Sequence, residues 1–196
     1  MAELWRTTLD PELYPAVHEV EVGGPALSWG AIWAGAATAI AISLMLLAIG
    51  AGFGLAPVSP WPGAGPKITT FAIGAGIWLI VMQWVSSAAG GYIAGRMRAR
   101  WHSLHGHEVF FRDTAQGLIM WSVATVIVAG CAMLVTTLAG LAAPAPGDVA
   151  VTPEMADQAR KAAITLSLFT GFSMLIGAFI ACVSAAIGGG LRDRHP

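Results

Sequence analysis

The chain alternates between long apolar runs and short polar breaks. Charged residues and His are absent between Glu21 and Lys67, between Lys67 and Arg96, between Asp113 and Asp148, and between Lys161 and Arg192. A helix needs about 20 apolar residues to cross a hydrocarbon core about 30 Å thick, and each gap is long enough. The first gap is the longest, but Pro57, Pro60, Pro62 and Pro66 stop the helix that opens it. The pattern predicts an all-α integral membrane protein with a transmembrane domain over 28–191 and helices near 28–55, 68–95, 114–142 and 162–190.

The polar segments have their own signals. Residues 1–27 are polar and acidic, carry Pro11, Pro15 and Pro25, and lack an apolar core. No cleavable signal peptide is therefore expected, and the first helix serves as an uncleaved anchor. Residues 1–27 and 192–196 are tails. The first is loosely ordered, a surface helix around Leu4, Trp5 and Leu9, or a partner-binding arm. In the loop 144–161, Thr152 suits a helix cap, Pro153 the first helical position and Glu154 the first turn. Asp157 and Lys161 make an i,i+4 pair. A short amphipathic helix leading into the fourth crossing is expected there.

Four crossings put both tails and the middle loop on one side. That side holds Arg6, Arg96, Arg98, Arg100, Arg112, Arg192 and Arg194; the other holds Lys67, Arg160 and Lys161. The positive-inside rule then orients both termini to the cytoplasm. Trp29, Trp33, Trp61, Trp101, Phe110 and Phe111 fall near the expected interfaces, where aromatic belts form. A shift of 94 positions lays Ser87, Gly91 and Gly95 on Ala181, Ala185 and Gly189, and Arg98 and Arg100 on Arg192 and Arg194. The first helices of the two pairs match weakly at another offset, Trp33 with Trp121 and Gly52 with Gly140. The chain reads as two helical hairpins in parallel repeat, by duplication or by convergence on small residues.

Composition narrows the functional classes. Hydrophobic residues make up 56% and charged ones 11%, against roughly 25% charged in soluble domains. This excludes a disordered chain and a water-soluble globule. A net charge of −1 leaves no basic surface for nucleic acid, and two Cys make no disulfide scaffold. The expected spans contain no Asp, Glu, Lys, Arg or His, which argues against an ion pump, a proton-coupled transporter or a haem held by His. A passive pore lined by Ser, Thr and carbonyl groups stays open.

Burying apolar surface does not join helices in lipid; close backbone approach at small residues does. Gly50 and Gly54, Gly91 and Gly95 with Ser87, and the ladder Gly177, Ala181, Ala185 and Gly189 are the candidate helix-packing positions. They serve either one bundle or contact with another subunit. Gln83 is the strongest polar group near mid-membrane and needs a partner, in an interhelical hydrogen bond or along a pore. Arg96, Arg98, Arg100 and Arg112 are placed to meet anionic lipid headgroups. His102, His105 and His107, followed by Glu108, are weak metal candidates, since their spacing is no standard zinc signature and no Cys is near. Cys131 and Cys182 read as packing residues. No nucleophile–base pair, phosphate loop or HExxH motif is present, so neither an enzyme nor a cofactor is expected.

Ser28-Trp29-Gly30-Ala31 with Ala34-Gly35, Gly50-x-Gly52-x-Gly54-Leu55 and Gly90-Gly91-Tyr92-x-Ala94-Gly95-Arg96 resemble small Gly-rich multi-pass bacterial membrane proteins of unassigned function. The resemblance lies mainly in helices 1 and 2. It implies a helical protein of the inner membrane and transfers no catalytic or ligand residue. The expected function is a non-catalytic accessory or scaffold subunit, or a homo-oligomer, with membrane lipids and other subunits or itself as partners. The alternative is a passive channel or facilitator for a small neutral solute.

Overall fold

The computed structural model describes residues 27–55, 68–99, 106–142 and 152–194. They form four helices, α1 (Trp29–Leu55), α2 (Ile68–Arg96), α3 (Gly106–Ala142) and α4 (Pro153–Arg194). All four are long and apolar enough to cross a membrane. Their outward faces carry Trp84, Phe172, Leu175, Phe179 and Leu141, all exposed. Such a surface needs hydrocarbon rather than water around it. The protein is an all-α four-helix membrane protein.

α3 and α4 start earlier than the charge-free stretches indicate, at Gly106 and Pro153. Polar residues end a span but not a helix. Thr152 Oγ1 accepts the Met155 N–H at 3.3 Å, and Asp157 pairs with Arg160 and Lys161 at 2.8 and 2.7 Å. Capped and paired in this way, the expected short amphipathic helix is continuous with α4. At about 1.5 Å per residue, the 37 residues of α3 and 42 of α4 reach roughly 55 and 63 Å, beyond the hydrocarbon core.

The helices alternate in direction and take the order α1, α2, α4, α3 around the bundle; α2 and α3 meet across it, while the described parts of α1 and α4 do not touch. α2 and α4 are parallel neighbours. Gly76 lies against Phe169, Ser173 Oγ donates to the Leu79 carbonyl at 3.1 Å, and Gly91 and Gly95 lie against the backbones of Ala181 and Ala185. Leu79 and Ser173 are one repeat shift apart, so the two matched helices pack nearly in register. α1 lies antiparallel on α2, with Gly35 against the Gly90 carbonyl, Gly50 under Trp78 and Gly54 beside Phe71. Trp78 Nε1 donates to the Leu46 carbonyl at 3.1 Å. α3 packs Gly117 onto Ala181 and Ala185. A Cβ at Gly91 would stand 2.5 Å from the Ala181 carbonyl oxygen, so these approaches demand glycine. Buried Ile32, Ala36, Ala39, Ala94, Met120, Ala124 and Ala181 complete the core.

Candidate functional site

Two polar features stand out within this apolar bundle. The first closes the end where α1 and α3 begin and α2 and α4 finish. Arg98, just past α2, is wholly buried; its side chain is 0% exposed, against 3% for Asp113 of α3 and 39% for Asp193 of α4. Its Nε and Nη2 donate to the two oxygens of Asp113, the latter at 3.0 Å. Nη2 also donates to Asp193 Oδ2 at 2.7 Å, and Nη1 to the Ala99 carbonyl at 3.1 Å. Burial works against the charge on Arg98, but hydrogen bonds to the two carboxylates and their negative charge outweigh it and raise its pKa. Asp113 fits because position 189 is Gly: a Cβ there would run into both carboxylate oxygens.

Gln116, one turn along α3, extends the cluster. Its Nε2 donates to the Ala94 carbonyl at 2.6 Å, and its Oε1 accepts the Ser28 N–H at 3.2 Å. Ser28 caps α1 and its Oγ accepts the Ala99 N–H at 3.3 Å. One hydrogen-bonded cluster thus ties all four helices. A buried ion pair of this kind is better evidence for a fixed arrangement than for added stability.

The cluster corrects one sequence expectation. Arg98 does not face lipid headgroups, because two carboxylates hold it inside. Asp113, at the edge of the charge-free stretch, belongs to α3, which begins at Gly106. The pattern Asp113, Gln116, Gly117, Met120 and Ala124, all buried on one face of α3, carried the signal. It was hidden because Asp113 marked the border of an apolar run.

The second feature is a cavity of about 220 Å³ near the middle of the bundle, lined by all four helices. Ser43, Gln83, Ser86, Ser87, Trp121, Thr125, Thr170 and Ser173 supply its polar groups; no lining residue is charged. Ser86 donates to the Met82 carbonyl at 2.8 Å, Thr170 to Leu166 at 2.8 Å and Ser173 to Leu79. Gln83 packs over Gly177 beside the Trp121 indole. Among the described residues, Trp121 Nε1 and Arg96 Nη1 are the buried side-chain atoms without a hydrogen-bond partner. Towards the cluster the cavity ends at Met120 and Ala39, beyond which Gly35 and Gly90 are in contact. Away from it, exposed Ala129, Ala132, Thr170 and Met174 form a rim between α3 and α4.

The remaining candidates fall as follows. Ser87, Gly91, Gly95, Gly177, Ala181, Ala185 and Gly189 are buried within the chain's own bundle. Arg96 is half-buried, and Arg112 pairs with Glu108 at 2.7 Å. His107 is exposed in the first turn of α3, and Cys131 and Cys182 are free thiols. Trp29, Trp33, Phe110 and Phe111 are exposed at the cluster end. The tail 1–26, Trp61, Arg100, Trp101, His102 and His105 lie outside the described residues.

The fold and these features define a multi-pass helical membrane protein. No family model, curated protein or solved structure matches the chain, so the functional reading rests on its own geometry.

Proposed function

We propose that the protein is a non-catalytic subunit that docks a transmembrane helix, from another protein or a second copy, against the far half of α3. The observation that carries this reading is the contrast between the two halves of that helix. Between Asp113 and Ala124 one face is buried in the bundle, whereas every residue from Ala129 to Leu141 is exposed. Within that half Ala129, Ala132, Thr136 and Gly140 follow one another at three- and four-residue spacing on one face. Nothing lies within 4 Å of where a Cβ at Gly130 or Gly140 would stand. Lipid gains little from such a face, but a helix can approach it closely. The arginine-rich end faces the cytoplasm, as the positive-inside rule requires, and the bacterial inner membrane is the setting that the Gly-rich resemblance implies.

The test is native mass spectrometry of the protein purified gently from its own membranes, beside Gly140→Leu and Thr136→Leu. A stoichiometric partner or dimer that both substitutions release supports the reading. A monomer, or an assembly indifferent to both, overturns it. A passive facilitator is the second reading, favoured by Gln83, Ser86 and Ser87 lining one cavity. A through path would require the layer of Met120, Gly35 and Gly90 and the charge cluster beyond it to part, and a flux assay in proteoliposomes tests that directly.

A further inference from the structure

We infer that the central cavity is a binding site for a small uncharged alcohol, whose hydroxyl group seats inward and whose hydrocarbon part points to the bilayer. The inference goes beyond the docking of a partner helix, does not depend on it, and needs no path through the bundle.

The polar lining sets the group that must be bound. Among the described residues, the side chains of Ser43, Gln83, Ser87 and Thr125 make no hydrogen bond within the protein, and their polar atoms are not closed off. All four line the cavity. A polar group at this depth has no bulk water to turn to, and leaving it unpaired is costly. The occupant must therefore form hydrogen bonds. The three hydroxyls and the amide can each donate and accept. Ser86, Thr170 and Ser173 have already given their protons to backbone carbonyls, so what they offer is lone pairs. The wall is thus richer in acceptors than in donors, and the occupant has to bring a proton. A ketone or an ether brings none. A hydroxyl group brings one and can still accept from Gln83 Nε2.

Charge and volume narrow the class further. No charged side chain lines the cavity, so an ion would lose its hydration without compensation. A volume of about 220 Å³ exceeds the roughly 150 Å³ cavity that admits benzene, so one ring or a short chain fits. Water alone would pair the polar groups but would also lie against Ile40, Leu79, Met82, Val128 and Met174. An alkyl group covers those apolar walls favourably.

The order of residues along the helices sets the orientation. Counting from the charge cluster, Ser87 and Gln83 come before Leu79 on α2, and Thr125 comes before Val128, Ala129 and Ala132 on α3. These unpaired polar groups therefore lie deeper than the exposed rim of Ala129, Ala132 and Met174. At the deep end Gly35, Gly90 and Met120 are packed together and close the cavity. An alcohol that enters from lipid between α3 and α4 meets the polar groups with its hydroxyl and leaves its hydrocarbon at the mouth.

The experiment uses the full chain in micelles with 15N-labelled glutamine side chains. The chain contains Gln83, Gln116 and Gln158 and no other Gln, and Gln83→Leu identifies the signals of interest. Cyclohexanol is titrated beside cyclohexanone, which accepts but brings no proton, and methylcyclohexane, which does neither. The expected result is a saturable shift of the Gln83 carboxamide protons with cyclohexanol, while Gln116 and Gln158 stay in place. Cyclohexanone should bind about fivefold more weakly, and Ser87→Ala should weaken cyclohexanol binding by a similar factor, the scale of one lost hydrogen bond. Ala129→Phe, which fills the mouth from an exposed position, should abolish the shift. The absence of a saturable shift, which is the result if the cavity holds water alone, would overturn the assignment. So would an equal response to either control compound, parallel movement of the three glutamines, or an undiminished shift in Ala129→Phe. Binding is expected to survive Gly140→Leu, which separates this site from the docking face.

Discussion

Replacing Arg98 by Leu takes the cation away from two carboxylates and leaves Asp113, whose side chain is 3% exposed, charged and unpaired inside the bundle. Removing one partner of a buried pair costs about 3–5 kcal/mol. The lower end, about 3 kcal/mol, is expected here because Asp193 is 39% exposed and can turn to water once released. Replacing Asp113 by Leu as well removes the orphaned charge, and an apolar pair in place of a buried ion pair is often neutral. The double variant should therefore recover most of the loss, with a coupling energy of about 2–3 kcal/mol. Reversible unfolding in mixed micelles with increasing SDS, followed by circular dichroism, gives the four stabilities of the cycle. A cost below about 1 kcal/mol for Arg98→Leu, the range of exposed pairs, would refute the buried-cluster argument. So would two costs that simply add.

The same assay tests the helix contacts. Gly91→Ala drives a methyl group against the Ala181 carbonyl and should cost about 1–3 kcal/mol, whereas Gly74→Ala, with nothing within 4 Å, should be neutral or stabilising by up to about 1 kcal/mol; equal effects would mean that α2 and α4 are not in close contact. Trp78→Phe loses the hydrogen bond to Leu46 but keeps an aromatic ring over Gly50 and beside Phe53, so about 0.6–1 kcal/mol should go. Thr152→Ala removes the α4 cap and should cost about 1 kcal/mol; hydrogen exchange should quicken over residues 153–156 and stay unchanged at the charge cluster.

The buried cluster and the cavity are joined by one helix. From Asp113 to Ala124 α3 is held by hydrogen bonds and small-residue contacts; from Ala129 onward it is exposed. The face that carries Trp121 and Thr125 continues as Ala129, Ala132, Thr136 and Gly140. The docking proposal draws on this change along α3: the cluster fixes the buried part, and the open part supplies the surface for a partner.

Membrane class, the number of crossings and their alternation were legible in the sequence because each depends on local composition. A charge-free run of sufficient length partitions into lipid whatever its neighbours are, and prolines stop a helix by covalent geometry. Small residues at four-residue spacing likewise marked α2 and α4 as packing helices before any partner was known. Tertiary structure decided what those faces meet. Gly91 and Gly95 pair with Ala181 and Ala185 instead of another subunit, Gly177 makes room for Gln83 and Trp121, and Gly189 for Asp113. Arg98 became a buried tie between helices because Asp113 and Asp193 converge on it from elements 15 and 95 positions away. The unpartnered indole of Trp121 appears only when four helices enclose it. Such features depend on which helices are neighbours and in what register, and a one-dimensional pattern of polarity does not carry that information.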